Sequence, residues 1–190
     1  MQYHEMTLCI DSNHQLILVV RDGYINKGEM NMVDVVLAQS VADEVIAKLK
    51  PHVSKILVCG SIRRKAQVVH DIDIVVAGPD EEFYKIMNSM KLTGDKVKWN
   101  FSYRGIPIDV TLTSSKLWGA AIMHFTGSKD FNIGCRVLAN QKGFKLSQYG
   151  FTNPVTQELI AGETEVSIFN ALKIAWLEPE QREWSNIKKE

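Results

Sequence analysis

The sequence of 190 residues lacks the features of a secreted or membrane-bound protein. Its three cysteines (Cys9, Cys59 and Cys135) lie far apart and form no CxxC pair, so we expect neither a disulfide framework nor a structural zinc site. No apolar run approaches the roughly 20 residues that a membrane span needs. No basic segment followed by an apolar stretch opens the chain. We therefore expect a cytoplasmic protein, or a nuclear or viral one in a eukaryotic host, that is not secreted and has no membrane partner.

The sequence also lacks an excess of charge of either sign. Lysine and arginine together number 22, and aspartate and glutamate together number 22, so the formal net charge is zero. Strong non-specific binding to nucleic acid needs many lysines and arginines against the phosphates. Any contact with a nucleic acid must therefore come from the placement of a few basic residues.

Hydrophobic periodicity divides the chain into three parts, and together they predict the α+β class. Residues 1–30 form a β-rich extension of unknown role, in which runs at 7–10 and 15–21 suggest a hairpin. Residues 31–113 predict a mixed sheet with helices packed on it, and residues 114–190 predict a smaller α/β lobe.

Individual elements follow from the spacing of apolar residues and from stop signals. In the second part we expect a helix over 33–49, strands over 56–59 and 72–77, a helix over 80–92, and an antiparallel pair over 99–103 and 106–112. In the third part we expect helices over 115–125 and 128–143, short strands between 144 and 160, and a last helix over 165–176.

Two acidic residues stand out on the strand over 72–77. Residues two apart on a strand face the same side, so Asp71 and Asp73 point off one face while Ile72 and Ile74 enter the core. Adjacent carboxylates repel, and a divalent cation with a preference for oxygen ligands, such as Mg²⁺, relieves that repulsion. Asp109 interrupts the apolar alternation of a later strand. Three carboxylates from two strands predict a two-metal site for phosphoryl transfer.

A second group of polar residues precedes this acidic pair. Gly60-Ser61 ends the strand over 56–59, and such a turn exposes backbone N–H groups and a hydroxyl to phosphate oxygens. Arg63, Arg64 and Lys65 follow directly, and an arginine can bind a phosphate through two parallel hydrogen bonds.

These motifs resemble a known family. Gly60-Ser61, nine residues, Asp71-x-Asp73 and a later Asp109 resemble the signature of the nucleotidyltransferase superfamily. The longer string CGSIRRKAQVVHDIDIVV is similar to the polymerase beta-like, family X DNA polymerases. The strings HFTGSKDFN, QKGFKLSQYG and IFNALKIAWLEPEQREW resemble the thumb subdomain of that family. The resemblance extends over residues 31–184.

The resemblance implies a nucleotidyltransferase palm followed by a thumb-like lobe that binds nucleotide and DNA. The implied activity is the Mg²⁺-dependent transfer of a nucleotide from a dNTP to the 3′-hydroxyl of a DNA primer, in short-gap repair. Two Mg²⁺ ions are implied, with Mn²⁺ able to substitute. The implied partners are gapped or primer-template DNA and a dNTP, and the protein is expected to be a monomer.

The resemblance also assigns roles to single residues. Asp71, Asp73 and Asp109 are implied to be catalytic and to hold the metal ions. The implied nucleotide-binding residues are Gly60, Ser61, Arg63, Arg64, His124, Phe125, Thr126, Gly127 and Asn132. Arg136 is implied to contact DNA, and it shares a helix face with Asn132 four residues earlier. For Arg63, a second interpretation is that it braces the palm through salt bridges.

Three kinds of departure from the family pattern are visible. Neither a lyase-type domain nor a helix–hairpin–helix glycine motif is visible, which predicts a reduced palm-plus-thumb form. Pro107 stands where the family often has an arginine, and Arg104 is a candidate to replace it. Lys65 and His70 stand where glycines are usual, and His70 either contacts a phosphate or caps the strand.

Two alternative functions stay open at this point. One is a template-independent nucleotidyltransferase acting on RNA or DNA ends, and the thumb-like lobe argues only against a small-molecule acceptor. The other is a non-catalytic, nucleic-acid-binding palm module. The presence of all three aspartates argues against it, because an inactive site is expected to lose at least one.

Overall fold

The computed structural model describes the backbone of residues 2–10, 16–24, 35–89 and 97–188, and the side chains of the last two ranges. Within these ranges, no helix combines the length and the apolar character that crossing a membrane requires.

A hairpin forms at the start of the chain. Strands β1 (Gln2–Ile10) and β2 (Leu16–Tyr24) pair antiparallel along their whole lengths. Both are longer than the predicted runs at 7–10 and 15–21. Backbone pairing continues through polar residues at the open end of the hairpin. The sequence has no apolar alternation there, so the pattern did not predict this extra length.

The second part contains a four-stranded sheet in the order β3-β4-β6-β5. Strands β4 and β6 are parallel, while the β3–β4 and β5–β6 pairs are antiparallel, so the predicted mixed sheet is confirmed. Its elements are α1 (Val35–Leu49), β3 (Val53–Val58), α2 (Gly60–Arg63), β4 (Ile72–Pro79), α3 (Glu81–Ser89), β5 (Lys98–Tyr103) and β6 (Ile106–Thr113).

Alternating side chains build the main core against one face of this sheet. Ile72, Ile74 and Val76 of β4 are buried there under α1 and α3. Trp99, a residue of β5, is buried in the same core, with its ring perpendicular to that of Phe83 and the ring centroids 5.5 Å apart. The aromatic residues of β5 therefore pack in the core.

The N-terminus of α3 is set by its cap. The carboxylate of Asp80 accepts a hydrogen bond from the backbone N–H of Phe83 at 2.8 Å, which satisfies one of the free donors of the first turn. The predicted start is confirmed, whereas the predicted end at residue 92 lies outside the described residues.

The third part is a second α/β layer. Its elements are α4 (Trp118–Thr126), α5 (Lys129–Gln141), β7 (Lys145–Ser147), β8 (Gly150–Thr152), β9 (Leu159–Ala161) and α6 (Glu165–Leu172). The predicted bounds of α5, 128–143, differ from the observed ones by one residue at its start and two at its end, and two other predicted boundaries were further off. A 3₁₀ turn over Ser115–Leu117 precedes α4, so this helix begins at Trp118. Helix α6 ends at Leu172 and not at residue 176, because Lys173 adopts a left-handed conformation (φ 52°) that stops it.

Helix α4 connects this layer to the sheet. A second core forms around Phe131, Ile168 and Phe169. A small third cluster joins Ala121 of α4 to Val75 of β4. Val75 and Asp73 are two residues apart on β4, so α4 covers the sheet face on which Asp73 lies. The predicted domain boundary near residue 114 stays a prediction.

Candidate active site

Three aspartates lie on or beside the two parallel strands of the sheet. The register of β4 and β6 sets Asp73 opposite Asp109, and Asp71 immediately precedes β4. Ile72 and Ile74 are buried in the main core, which turns Asp73 to the other face, as the alternation predicted. Parallel pairing therefore brings two of the predicted carboxylates to adjacent positions, with the third at the strand end beside them.

The electrostatics of Asp73 show that negative charge is crowded here. Burial, reinforced by the charges of Asp71 and Asp109, raises the pKa of the Asp73 carboxyl to about 7. Lys98 and Arg64 oppose the shift without cancelling it. An additional cation at this point would relieve the repulsion.

Asp109 is held by the neighbouring strand β5. Its Oδ2 lies 2.9 Å from the Nζ of Lys98, and its Oδ1 accepts a short hydrogen bond from the side-chain amide of Asn100. Across residues 35–89 and 97–188, no three His, Cys, Asp or Glu side chains are grouped so that they could hold a metal ion. The metal-binding role of the three aspartates therefore stays a prediction.

The chemistry of these residues nevertheless fits Mg²⁺ or Mn²⁺. All three side chains offer carboxylate oxygens, which are the ligands that hard divalent cations prefer. After burial, the charges of Asp71 and Asp109 contribute most to the raised pKa of Asp73, and Lys98 and Arg64 do not offset it. Asp71, Asp73 and Asp109 are the residues that would hold such ions.

Helix α2 places the Gly-Ser turn directly against Asp73. Gly60 has a φ of +59°, and a Cβ atom at this position would collide with the Asp73 carboxylate. The hydroxyl oxygen of Ser61 is buried and has no hydrogen-bond partner among the described residues. Because an unsatisfied buried hydroxyl costs free energy, Ser61 is suited to an external ligand rich in oxygen.

Arg63 and Arg64 connect α2 to the third part of the chain. Arg63 donates to the hydroxyl of Thr126 at 2.6 Å and to both carboxylate oxygens of Glu165 at 2.9 and 2.7 Å. This geometry matches the bracing interpretation of Arg63. Arg64 donates to the backbone carbonyl of Thr126, and its guanidinium lies next to Gly127. The guanidinium predicted to bind phosphate is thus held beside the end of α4.

The remaining predicted nucleotide and DNA residues lie where α4 meets α5. The side-chain amide of Asn132 donates to the backbone carbonyl of His124 at 2.7 Å, which ties the two helices together. His124, Asn132 and Arg136 line one small cleft. Burial, and then the charge of Arg136, lowers the pKa of His124, so its ring is neutral at pH 7. Phe125 lies edge-on to the His124 ring, with the ring centroids 5.0 Å apart.

Four contact residues of the site were not singled out from the sequence. Lys98 and Asn100 alternate with the buried aromatic residues of β5, so the period-2 pattern already placed them on the face of Asp109. Glu165 and Arg182 form a buried pair with 2.5 Å between the guanidinium Nη1 and the carboxylate Oε1. No local pattern indicates that pair, because its members come together only through tertiary packing.

The structure shows the positions and contacts of the residues that depart from the family pattern. Arg104 stays a predicted replacement for the arginine that the family often has at Pro107. It lies in the β5–β6 turn, and its guanidinium is 3.0 Å from Glu44 of α1. Lys65 forms an exposed ion pair with Glu180, and His70 is an exposed residue just ahead of the acidic pair.

Comparisons with known proteins agree with this geometry. A model of the DNA polymerase beta thumb matches residues 121–183. The chain is 30% identical over 142 residues to DNA polymerase/3′-5′ exonuclease PolX of Bacillus subtilis, an alignment that covers 70% of this chain and 25% of that protein. It is 26% identical over 161 residues to DNA polymerase lambda of Rattus norvegicus, with 66% and 28% covered. The chain thus spans only about a quarter of the length of these relatives.

A solved structure shares the fold. Leishmania infantum polymerase beta, in a ternary P/T complex, superimposes with a TM-score of 0.66 at 20% identity, covering 80% of this chain and 77% of that one. The thumb match, the two polymerase relatives and the shared fold agree with the motifs around Gly60, Asp71 and His124. Together, the thumb match and the sequence relatives support a relationship of this chain to the family X DNA polymerases, and the solved structure supports the same fold.

Proposed function

We propose that the chain is a nucleotidyltransferase that adds a nucleotide from a dNTP to the 3′-hydroxyl of a DNA primer, in the filling of short gaps. The observation that carries the proposal is the pairing of Asp73 with Asp109 on parallel strands, directly beside helix α2. An acidic centre next to a buried, unpartnered hydroxyl suits a substrate that brings cations and phosphate oxygens together. The family relationship supports the same reaction class.

Divalent cations, Mg²⁺ or Mn²⁺, would supply charge neutralisation at the phosphates and would make the primer hydroxyl more acidic. Asp71 and Asp73 would bind them where the negative charge is most crowded. Asp109 would complete the set from β6 and would help to draw the proton from the attacking 3′-hydroxyl. Phosphoryl transfer needs little covalent help, so holding these groups in line is the main task of the protein.

Helix α2 and the end of α4 would bind the nucleotide. Ser61 Oγ would donate to a phosphate oxygen, which gives this buried hydroxyl the partner that it lacks within the described residues. Arg64 would exchange its bond to the uncharged Thr126 carbonyl for a stronger one to an anionic phosphate oxygen, in which both partners are charged. Asn132 and Arg136 would face the incoming base and the minor groove beside it.

The test is primer extension by the full chain on a duplex with a one-nucleotide gap, in Mg²⁺, with each nucleotide offered singly. Incorporation of only the complementary dNTP is the expected result. Addition of any nucleotide regardless of the template would replace the proposal with a template-independent transferase. Absence of addition on gapped, recessed and single-stranded DNA would overturn the proposal and leave a transferase that acts on RNA ends or a non-catalytic module.

A further inference from the structure

Strand β5 has a polar face whose side chains have no role in the proposed reaction. The alternation of β5 buries Trp99, Phe101 and Tyr103, so Lys98 and Asn100 lie on the opposite face of the sheet. Strand β5 pairs antiparallel with β6, the strand that carries Asp109. Asn100 is the register partner of Asp109, and Lys98 is two residues away along the same strand. The two side chains therefore reach the third carboxylate from one side.

Together these residues engage both carboxylate oxygens of Asp109. The ammonium of Lys98 lies 2.9 Å from Oδ2, and the amide of Asn100 donates to Oδ1. An ammonium at this distance is a cation in contact with the carboxylate, and it competes directly with any metal ion for the same oxygen.

We infer that Lys98 is an internal counter-cation for Asp109, which neutralises this carboxylate until a divalent cation displaces the ammonium. Lys98 is therefore a positioning residue that weakens the binding of the ion that uses Asp109, while the ion held by Asp71 and Asp73 is affected less. The inference rests on the proposed function only in assigning Asp109 to a metal ion. Asn100 fixes the orientation of the carboxylate for either cation.

The ion pair is only partly exposed, which gives it a measurable effect. Lys98 exposes 42% of its side chain and Asp109 exposes 25%. A pair of this kind changes a binding constant by up to about fivefold. Replacing Lys98 also removes the repulsion between its ammonium and an incoming divalent cation, which acts in the same direction.

The experiment titrates the full chain with Mn²⁺, without DNA or nucleotide, and follows free Mn²⁺ by electron paramagnetic resonance. We expect Lys98→Met and Lys98→Gln to bind the Asp109-dependent ion about fivefold more tightly than the wild type. Lys98→Arg, which keeps the charge, should bind it like the wild type. Lys85→Met is the matched control, because it removes a lysine from an exposed ion pair with Glu82 on α3, outside the site.

Asp109→Asn identifies the ion in question, since this variant should lose it. If Asp109→Asn loses that ion but both uncharged Lys98 variants bind Mn²⁺ no more tightly than Lys85→Met, the inference is overturned and the proposed function is untouched. If Asp109→Asn retains every ion, the inference is overturned together with the metal role of Asp109.

Discussion

Glu165 is the residue on which the two halves of the molecule converge. It is 6% exposed, and its carboxylate forms ion pairs with Arg63 of α2 and with Arg182 of the C-terminal segment. Arg182 is fully buried, with its guanidinium 5.2 Å from the ring centroid of Trp176 and 5.4 Å from that of Phe169. A buried carboxylate keeps its charge only with such partners, so the three side chains depend on one another.

Replacing this carboxylate should destabilise the whole chain. Glu165→Gln leaves two arginines next to a neutral amide, and loss of one partner from a buried pair costs about 3–5 kcal/mol. Urea unfolding at pH 7 measures the free energy of unfolding directly. Glu180→Gln, which removes the exposed partner of Lys65, is the control and should cause only a small change. Equal stability of the two variants would show that the buried network contributes nothing.

The same residue predicts a dependence of stability on pH. Burial raises the pKa of Glu165, but the hydrogen bonds from Arg63 and Arg182 outweigh it and hold the pKa below its ordinary value of 4.5. The ionised pair therefore stabilises the fold fully above pH 4.5, and this stabilisation is lost as the pH falls through the lower folded value.

Unfolding of the wild type and of Glu165→Gln over a pH series tests this sign. The difference in free energy of unfolding between the two proteins should be constant near neutral pH and should shrink below about pH 4.5. A difference that is unchanged in acid, or that grows there, would contradict the depressed pKa.

At the scale of elements, helix α2 is positioned by one backbone conformation. Gly60 turns the chain out of β3 with a positive φ and brings the first turn of α2 against Asp73. Residues other than glycine adopt this conformation at a cost of about 1–2 kcal/mol. At Gly60 a Cβ atom would in addition press on the carboxylate.

Gly60→Ala should therefore impair nucleotide addition more than it impairs folding. We expect a raised KM for the nucleotide and a lower rate, measured by primer extension, because α2 and Asp73 can no longer occupy their places together. Gly105→Ala is the matched control, since Gly105 also has a positive φ (76°) but has nothing within 4 Å of the added Cβ atom. Equal losses of activity in the two variants would mean that only backbone strain matters.

Helices and strands with a clear hydrophobic periodicity could be predicted from the sequence. The residues at which these elements begin and end often could not. Alternation located β4, β5 and β6 and the core faces of Ile72 and Trp99, because a strand has a strict period of two. The end of α6 was missed, because Lys173 is an unusual residue for the left-handed conformation that stops the helix. Asp109 was found by its place in an apolar strand, whereas its contacts with Lys98 and Asn100 depend on which strands are neighbours.

At the scale of the whole molecule, α4 holds the two cores together and covers the face of the acidic centre. The sequence predicted each layer, but the contacts between the layers link residues more than 60 positions apart, such as Arg63 with Thr126 and Glu165. Such pairs leave no local signal, and they decide where Arg64 lies relative to the acidic centre. The proposed function requires that nucleotidyl transfer takes place at this acidic centre.

The measurement that tests this claim most directly is the single-turnover rate of nucleotide incorporation on gapped DNA by Asp71→Asn, Asp73→Asn and Asp109→Asn. Each variant should lose at least about a thousandfold in rate, because cation-assisted charge neutralisation contributes several kcal/mol. Asp80→Asn is the matched control. It lies beyond the other end of β4 and retains a side-chain oxygen for the cap of α3, so it should react at the wild-type rate. A wild-type rate in the Asp73 or Asp109 variant would contradict the account.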